Sequence, residues 1–140
     1  MSVVYISGTW DPFHIGHLNV IQVAAGLGDI LVIGVATDDY LREFKDREPF
    51  SPFCDRARIL SELRSVDFVI PYHGMEDMIP IDLFNVDIVI VDQQCGKGDS
   101  PLAIRQSMAM ELLRERDVSI VIVPRTLYIS STLVRSFIND

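Results

Sequence analysis

The sequence is poor in cysteine and contains no long hydrophobic run. Cys54 and Cys95 are the only two cysteines among the 140 residues, and they lack the spacing of a zinc site or a disulfide framework. The longest apolar run, residues 30–36, is far too short to cross a bilayer. The first residues lack the basic flank and apolar stretch of a signal peptide. We therefore expect one cytoplasmic domain over residues 1–140, with no membrane partner.

The chain also lacks an excess of positive charge. It has 12 Lys and Arg against 20 Asp and Glu, which gives a net charge of −8. A protein that binds nucleic acid needs clustered basic residues to neutralise phosphates, so we expect no nucleic-acid partner. One buried nucleotide site needs only a few local donors, and this composition leaves that function open. The arginines between residues 42 and 64 are interpreted either as solvated helix surface or as such donors.

Five short runs of β-branched and other apolar residues recur along the chain, at residues 3–6, 30–36, 68–70, 88–91 and 119–123. Each run is nearly continuous rather than alternating, which is typical of strands buried on both faces of a parallel sheet. Helical spacing separates them, at residues 15–25, after Pro52, at 75–84, at 101–116 and after Ser130. This alternation predicts a single-domain α/β fold, a Rossmann-like doubly wound parallel sheet of about five strands. In such folds the ligand lies beyond the carboxyl ends of the strands.

The loop after the first strand carries two histidines at the predicted start of the first helix. His14 and His17 are three residues apart, so both can face one side of that helix start. A helix N-terminus favours anions, and two imidazoles there can donate hydrogen bonds to phosphate oxygens. Gly16 would let a phosphate approach the backbone, and Asp11 could orient a histidine or bind magnesium. A zinc site is a weak alternative, because no third ligand has suitable spacing.

Residues 8–17, read as G-T-W-D-P-F-H-I-G-H, resemble the G-T-F-D-x-x-H-x-G-H signature of the nucleotidyltransferase superfamily. Trp10 replaces the usual phenylalanine and keeps an aromatic ring. Class I aminoacyl-tRNA synthetases share the last four letters, but they are much longer and carry tRNA-binding domains. The resemblance implies nucleotide contacts from Gly8, Thr9, Trp10, Asp11, His14, Gly16 and His17.

A second segment, residues 124–135, opens the last predicted helix. By itself it is compatible with an ordinary N-cap and surface arginines. It resembles the superfamily's second motif, R-T-x-x-I-S-[ST]-T, and two motifs in the right order strengthen the interpretation. The resemblance implies phosphate or nucleotide contacts from Arg125, Thr126, Ile129, Ser130, Ser131 and Thr132. Arg135 is a weaker candidate.

The middle of the chain is similar to the cytidylyltransferase branch, through residues 37–40 and 64–71. This similarity implies a homodimer that transfers CMP from CTP to a small phosphorylated alcohol such as glycerol 3-phosphate. It further implies acceptor contacts from Asp38, Lys45, Arg56 and Arg64, and a nucleotide contact from Asp92. Residues 92–95 read D-Q-Q-C, however, where the branch usually has G-D-D-W. Two alternatives therefore stay open: an ATP-dependent adenylyltransferase, and a nucleotide-binding regulator without turnover.

The expected reaction is attack of an acceptor phosphate on the α-phosphorus of a nucleoside triphosphate, with release of pyrophosphate. Because the acceptor phosphate is already anionic, positioning and charge stabilisation carry the catalysis. We expect His14, His17, Lys45 and Arg125 to be the catalytic residues. Mg²⁺ is the expected cofactor, bridging the phosphates, with Asp11 as its protein contact.

Overall fold

The computed structural model describes residues 1–126 and 130–138, and these residues form one five-stranded parallel sheet. The strands are β1 (Val3–Gly8), β2 (Ile30–Ala36), β3 (Phe68–Tyr72), β4 (Ile88–Val91) and β5 (Ser119–Ile122). Their order is β3-β2-β1-β4-β5. The chain therefore adds β2 and β3 on one side of β1 and then crosses back to add β4 and β5 on the other side of β1. The predicted fold class is confirmed. The switch of direction between β1 and β4 opens a crevice at their carboxyl ends.

The described helices are α1 (Ile15–Ala25), α2 (Asp38–Phe44), α3 (Phe53–Ser61), α4 (Ile79–Leu83), α5 (Pro101–Glu115) and α6 (Ser131–Ile138). Two of them differ from the sequence expectation. Helix α2 was not predicted, because seven residues are too few to show a clear period, although Thr37 caps it by accepting the Tyr40 N–H. Helix α4 is shorter than residues 75–84, since Pro80 lies in its first turn and Gly74 has a φ of 143° before it. No described helix is long and apolar enough to span a membrane.

The sheet separates two hydrophobic clusters. Val4, Ile6 and Leu31 belong to the cluster that α1 and α3 cover, whereas Tyr5 and Val32 belong to the cluster that α4 and α5 cover. Neighbouring residues of one strand thus serve opposite clusters, which explains the continuous apolar runs of the central strands. The prediction that every strand is buried on both faces is wrong for the edge strands. Phe68 of β3 is 48% exposed and Ile122 of β5 is 60% exposed.

A buried arginine on α3 ties the carboxyl ends of β1 and β2 together. Arg56 is only 2% exposed. Its Nε donates to Ser51 O at 2.8 Å, and its Nη1 donates to Thr9 O at 2.9 Å and to Ala36 O at 2.7 Å. Its Nη2 pairs with the Asp38 carboxylate. The loops that frame the crevice are therefore fixed by one guanidinium.

Replacing this arginine by an apolar residue is predicted to destabilise the fold. Arg56→Leu leaves three backbone carbonyls and one carboxylate without their donor, so we expect the free energy of unfolding to fall by about 3 kcal/mol or more. Urea unfolding measures this change. The matched control is Arg58→Leu, an exposed position on the same helix, for which we expect a change within about 0.5 kcal/mol. Equal losses in the two variants would contradict the structural role of Arg56.

Candidate active site

A cleft of about 440 Å³ lies at the carboxyl ends of the strands. The loop after β1, the residues that follow α2, the segment after β4 and the start of α6 all line it. The structure brings most of the sequence-predicted residues to this one cleft: Gly8, Thr9, Trp10, His14, Gly16, His17, Lys45, Asp92, Arg125, Thr126, Ser130, Ser131 and Thr132. The two motifs, from opposite ends of the chain, therefore share one site.

The two histidines cap helix α1 with their own rings. His14 is the N-cap residue, and its Nδ1 accepts the Gly16 N–H at 3.0 Å. The Nδ1 of His17 accepts the His14 N–H at 3.2 Å, which completes a reciprocal capping box. The rings stack with centroids 3.8 Å apart and planes inclined by 17°. Because both Nδ1 atoms act as acceptors, the proton of each neutral ring lies on Nε2.

The Nε2 atoms of both histidines point at the same oxygen. They lie 3.2 Å (His14) and 3.3 Å (His17) from the Oγ of Ser131, the first residue of α6. Ser130 caps this second helix, since its Oγ accepts the Leu133 N–H at 3.1 Å. Two helix starts thus meet, and two N–H donors converge on one oxygen position. A phosphate oxygen at such a position would accept both hydrogen bonds.

Both imidazoles are neutral near pH 7. Burial lowers the pKa of His14. Burial, together with the neighbouring His14, lowers the pKa of His17 to about 3, although Asp11 opposes this shift. The histidine pair therefore supplies hydrogen-bond donors without positive charge.

Positive charge in the cleft comes from Lys45, Arg47, Arg125 and Arg135. Lys45 follows α2 directly, and burial lowers the pKa of its ammonium group; Asp92 opposes that shift, whereas Arg47 and Arg125 add to it. Arg125 Nη2 lies 3.0 Å from Asp92 Oδ2. No site role was predicted for Arg47, although Lys45 and Arg47 stand close to two lysines of the cytidylyltransferase branch, one residue displaced. The cleft thus concentrates cations in a chain that is acidic as a whole.

Asp11 does not serve the role predicted for it. Its side chain is completely buried. Its Oδ2 accepts the Phe50 N–H at 2.7 Å and Arg47 Nη1 at 3.1 Å, and its Oδ1 accepts the Ser51 N–H at 2.9 Å. The carboxylate therefore faces the loop before α3, outside the cleft, where these donors occupy it. The predictions that Asp11 binds magnesium or orients a histidine are wrong for this reason.

The main-chain oxygen of Asp11 accepts Arg135 Nη1 at 3.1 Å, so this residue also holds α6 in place. Within residues 1–126 and 130–138, no group of three or more histidine, cysteine, aspartate and glutamate side chains could hold a metal ion.

Three of the predicted acceptor residues lie outside the cleft lining. Arg56 and Asp38 bond each other and the strand ends, so the Arg56 guanidinium is not available to a phosphate in the cleft. Arg64 is exposed in the link between α3 and β3, which leads to the amino end of the sheet. Of the predicted acceptor residues, the cleft therefore contains Lys45 alone. The predicted nucleotide contact Ile129 lies outside the described residues.

Trp10 forms the wall behind the histidine pair. Its indole Nε1 donates to Gly34 O at 3.0 Å, and its ring meets the edge of the His17 ring with centroids 5.2 Å apart. The residue is only 4% exposed and has a φ of 54°, which a non-glycine residue rarely adopts. The sharp turn after β1 thus places an aromatic ring against the loop that carries His14 and His17.

A doubly wound parallel sheet whose crevice carries capped helix starts, paired N–H donors and clustered cations defines a protein that binds nucleotide phosphates. The chain belongs to the cytidylyltransferase-like family, whose model matches residues 5–137, and so to the H-x-G-H nucleotidyltransferase superfamily.

Curated relatives match part of the chain. This chain is 38% identical to the FAD synthase of Thermococcus kodakarensis over 89 residues. The matched segment covers 63% of this chain and 60% of that protein. Over 89 residues it is 36% identical to the bifunctional protein HldE of Citrifermentans bemidjiense, covering 63% of this chain but only 18% of that protein. The crystal structure of a lipopolysaccharide core biosynthesis protein from Thermoplasma volcanium is similar over 92% of this chain and 99% of that one, with a TM-score of 0.67 and 27% identity.

The lowered pKa of His17 predicts that the free energy of unfolding decreases as the pH falls. Because the folded-state pKa is about 3 and the ordinary value is 6.5, the unfolded chain binds a proton first as the pH falls. The neutral His17 ring therefore makes its full contribution to the free energy of unfolding at pH values above 6.5. This contribution is lost progressively as the pH falls below 6.5. Between pH 7 and pH 5 the wild type should lose about 2 kcal/mol more of its free energy of unfolding than His17→Gln does.

Urea unfolding at a series of pH values measures that difference. His73→Gln, at an exposed histidine, is the matched control and should follow the wild-type curve. Parallel curves for the wild type and His17→Gln would show that His17 does not lie buried and neutral.

Proposed function

We propose that this chain is an active nucleotidyltransferase, which transfers a nucleotidyl group from a nucleoside triphosphate to the phosphate of a small acceptor and releases pyrophosphate. The observation that carries the proposal is the convergence of the His14 and His17 Nε2 atoms on the Ser131 hydroxyl at the meeting of two helix starts. The family supports the same class of reaction. The same donors would also bind phosphate in a regulator without turnover, which we keep as the second alternative.

In this reaction an oxygen of the acceptor phosphate attacks the α-phosphorus, and the bond to the bridging oxygen of the pyrophosphate breaks. The attacking oxygen already carries negative charge, so no proton has to be removed. The two Nε2–H groups donate to the oxygens on which charge develops. Since both rings stay neutral, they act as fixed donors rather than as an acid and a base.

The other polar groups of the cleft bind and neutralise the triphosphate. Lys45, Arg47 and Arg125 neutralise the polyphosphate charge and orient it for in-line attack. The Ser131 and Thr132 hydroxyls, with the free N–H groups at the start of α6, bind the distal phosphates. Arg125 would exchange its partner Asp92 for a phosphate oxygen.

Magnesium fits this cleft as an ion that the triphosphate carries. Asp77 and Asp92 are the described carboxylates in the cleft lining, and of the two Asp92 lies beside Arg125 and Lys45. We therefore propose Asp92, rather than Asp11, as the protein group near the ion. A bound Mg²⁺ would screen the charge of the phosphates and of the departing pyrophosphate.

For the nucleotide we propose ATP, supported by the likeness to a protein named FAD synthase, because FAD is FMN that carries an adenylyl group. CTP with a small phosphorylated alcohol such as glycerol 3-phosphate is the second candidate. The cytidylyltransferase-like family description and the segment at residues 64–71 favour it.

We propose the cytoplasm as the location, in keeping with the free thiols of Cys54 and Cys95. The homodimer stays a prediction.

A matrix of triphosphates and acceptors tests the proposal. ATP and CTP are each combined with glycerol 3-phosphate, glucose 1-phosphate and FMN in the presence of Mg²⁺, and the released pyrophosphate is measured. We expect one combination to release pyrophosphate only when both substrates are present. Nucleotide binding without turnover in any combination would favour the regulator.

Removing one donor of the histidine pair is predicted to slow the active combination. His17→Ala deletes an N–H aimed at the developing charge, so we expect kcat to fall roughly 100- to 1000-fold. His73→Ala, at an exposed histidine outside the cleft, should keep the wild-type kcat. A near wild-type kcat for His17→Ala would disprove the role given to the histidine pair.

A further inference from the structure

Helix α1 carries a polar residue that reaches the second motif from outside the cleft. Asn19 lies two residues after His17 and is exposed. Its Nδ2 donates to Thr126 Oγ1 at 3.0 Å, although the two residues are 107 positions apart in the chain. Thr126 follows Arg125 in the segment between β5 and α6 and lines the cleft, whereas Asn19 does not line it. The amide therefore bonds the Thr126 side chain from a direction other than that of the cleft.

The hydrogen bond between these side chains has a defined direction, because an amide nitrogen only donates. The Thr126 hydroxyl accepts this bond, and a hydroxyl that accepts one hydrogen bond keeps its own proton for a different partner. With Asn19 on the outer side, the proton is left for an acceptor in the cleft, such as a phosphate oxygen. Accepting a hydrogen bond also makes the hydroxyl a stronger donor, since neighbouring hydrogen bonds polarise one another.

The contact between the histidine pair and Ser131 has to give way when a phosphate binds. The Nε2 atoms of His14 and His17 meet Ser131 Oγ at the position that a phosphate oxygen would take. The bond from Asn19 to Thr126 uses a donor outside the cleft lining, so a triphosphate can bind without replacing it. Asn19 thus keeps α1 and the segment after β5 together while the cleft is occupied.

We propose that Asn19 is a positioning residue for the nucleoside triphosphate. Its amide holds the Thr126 hydroxyl so that the O–H group donates to a phosphate oxygen, and Asn19 itself contacts neither substrate. This inference rests on the proposed function, whose triphosphate site it refines.

A substitution that keeps the shape of Asn19 tests the direction of the bond. Asn19→Asp replaces the donor by an acceptor, so the carboxylate draws the Thr126 O–H group away from the phosphate. With the active combination of substrates, we expect the nucleotide KM to rise about tenfold, while kcat and the acceptor KM stay within about twofold. Gln22→Glu makes the same change of charge at an exposed residue of the same helix outside the cleft, and should keep the wild-type nucleotide KM.

A double-mutant cycle tests whether Asn19 acts through Thr126. Thr126→Val removes the hydroxyl but keeps the shape, and Asn19→Ala removes the amide. Each change alone should raise the nucleotide KM about fivefold, and the double variant should not exceed Thr126→Val by more than about twofold. Thermal unfolding of every variant checks that the fold is intact.

Other outcomes overturn the inference and separate it from the proposed function. If a folded Asn19→Asp keeps the wild-type nucleotide KM, or if the two effects multiply in the double variant, the role of Asn19 is wrong while the nucleotidyltransferase function stands. If the wild type releases no pyrophosphate with any combination, the proposed function fails, and calorimetry with non-hydrolysable ATP and CTP analogues plus Mg²⁺ decides about Asn19. Binding that Asn19→Asp weakens about tenfold and Gln22→Glu leaves unchanged supports the inference. Equal binding by the wild type and Asn19→Asp, or no binding by the wild type, overturns it.

Discussion

The site depends on one local interaction, the capping box that His14 and His17 form at the start of α1. In most capping boxes the side chains only satisfy free backbone N–H groups. Here the side chains are imidazoles, so the nitrogens that face the backbone fix the protons on the opposite nitrogens. Both Nε2–H groups then point away from α1 and toward α6. The strand order places β4 beside β1 and β5 beside β4, which lets the chain after β5 return to the histidine pair.

Two buried ionic groups hold the parts of the site together from outside the cleft. Asp11 joins the loop before α3 to α6, through its carboxylate on one side and its carbonyl on the other. Arg56 joins the ends of β1 and β2. Neither side chain lines the cleft, whose cations are Lys45, Arg47, Arg125 and Arg135, but Arg47 is already paired with Asp11 and Arg125 with Asp92. This division explains how a chain with a net charge of −8 offers a basic phosphate site.

The sequence predicted the sheet well because its signals are local. A buried parallel strand is recognisable from its own apolar residues, and so the bounds of β2 and β4 agree with the runs read from the chain. Helix α2 was missed because it is short. The placement of His14, His17 and Ser131 in one cleft followed from two motifs at helix starts, although the contact between them depends on strand order.

The roles of Asp11 and Arg56 could not be predicted in the same way. A motif says that a charged residue is present, but the groups that neutralise it come from distant parts of the chain: Phe50 and Ser51 lie about 40 residues from Asp11. The same holds for the contact between Tyr5 and Gly34, where a Cβ on the glycine would lie 2.3 Å from the Tyr5 hydroxyl. Tyr5 and Gly34 carry no motif, and their relation appears only when β1 and β2 are paired in register.

The most direct test of the central claim is the protonation state of the two rings with and without a triphosphate. Long-range ¹H–¹⁵N NMR spectra of the histidine-labelled protein would be recorded near pH 7, alone and with a non-hydrolysable ATP or CTP analogue plus Mg²⁺. The account predicts neutral rings protonated at Nε2 for both His14 and His17, and Nε2 resonances that shift when the analogue binds. Rings protonated at Nδ1, or Nε2 resonances that stay unchanged in the saturated complex, would contradict it.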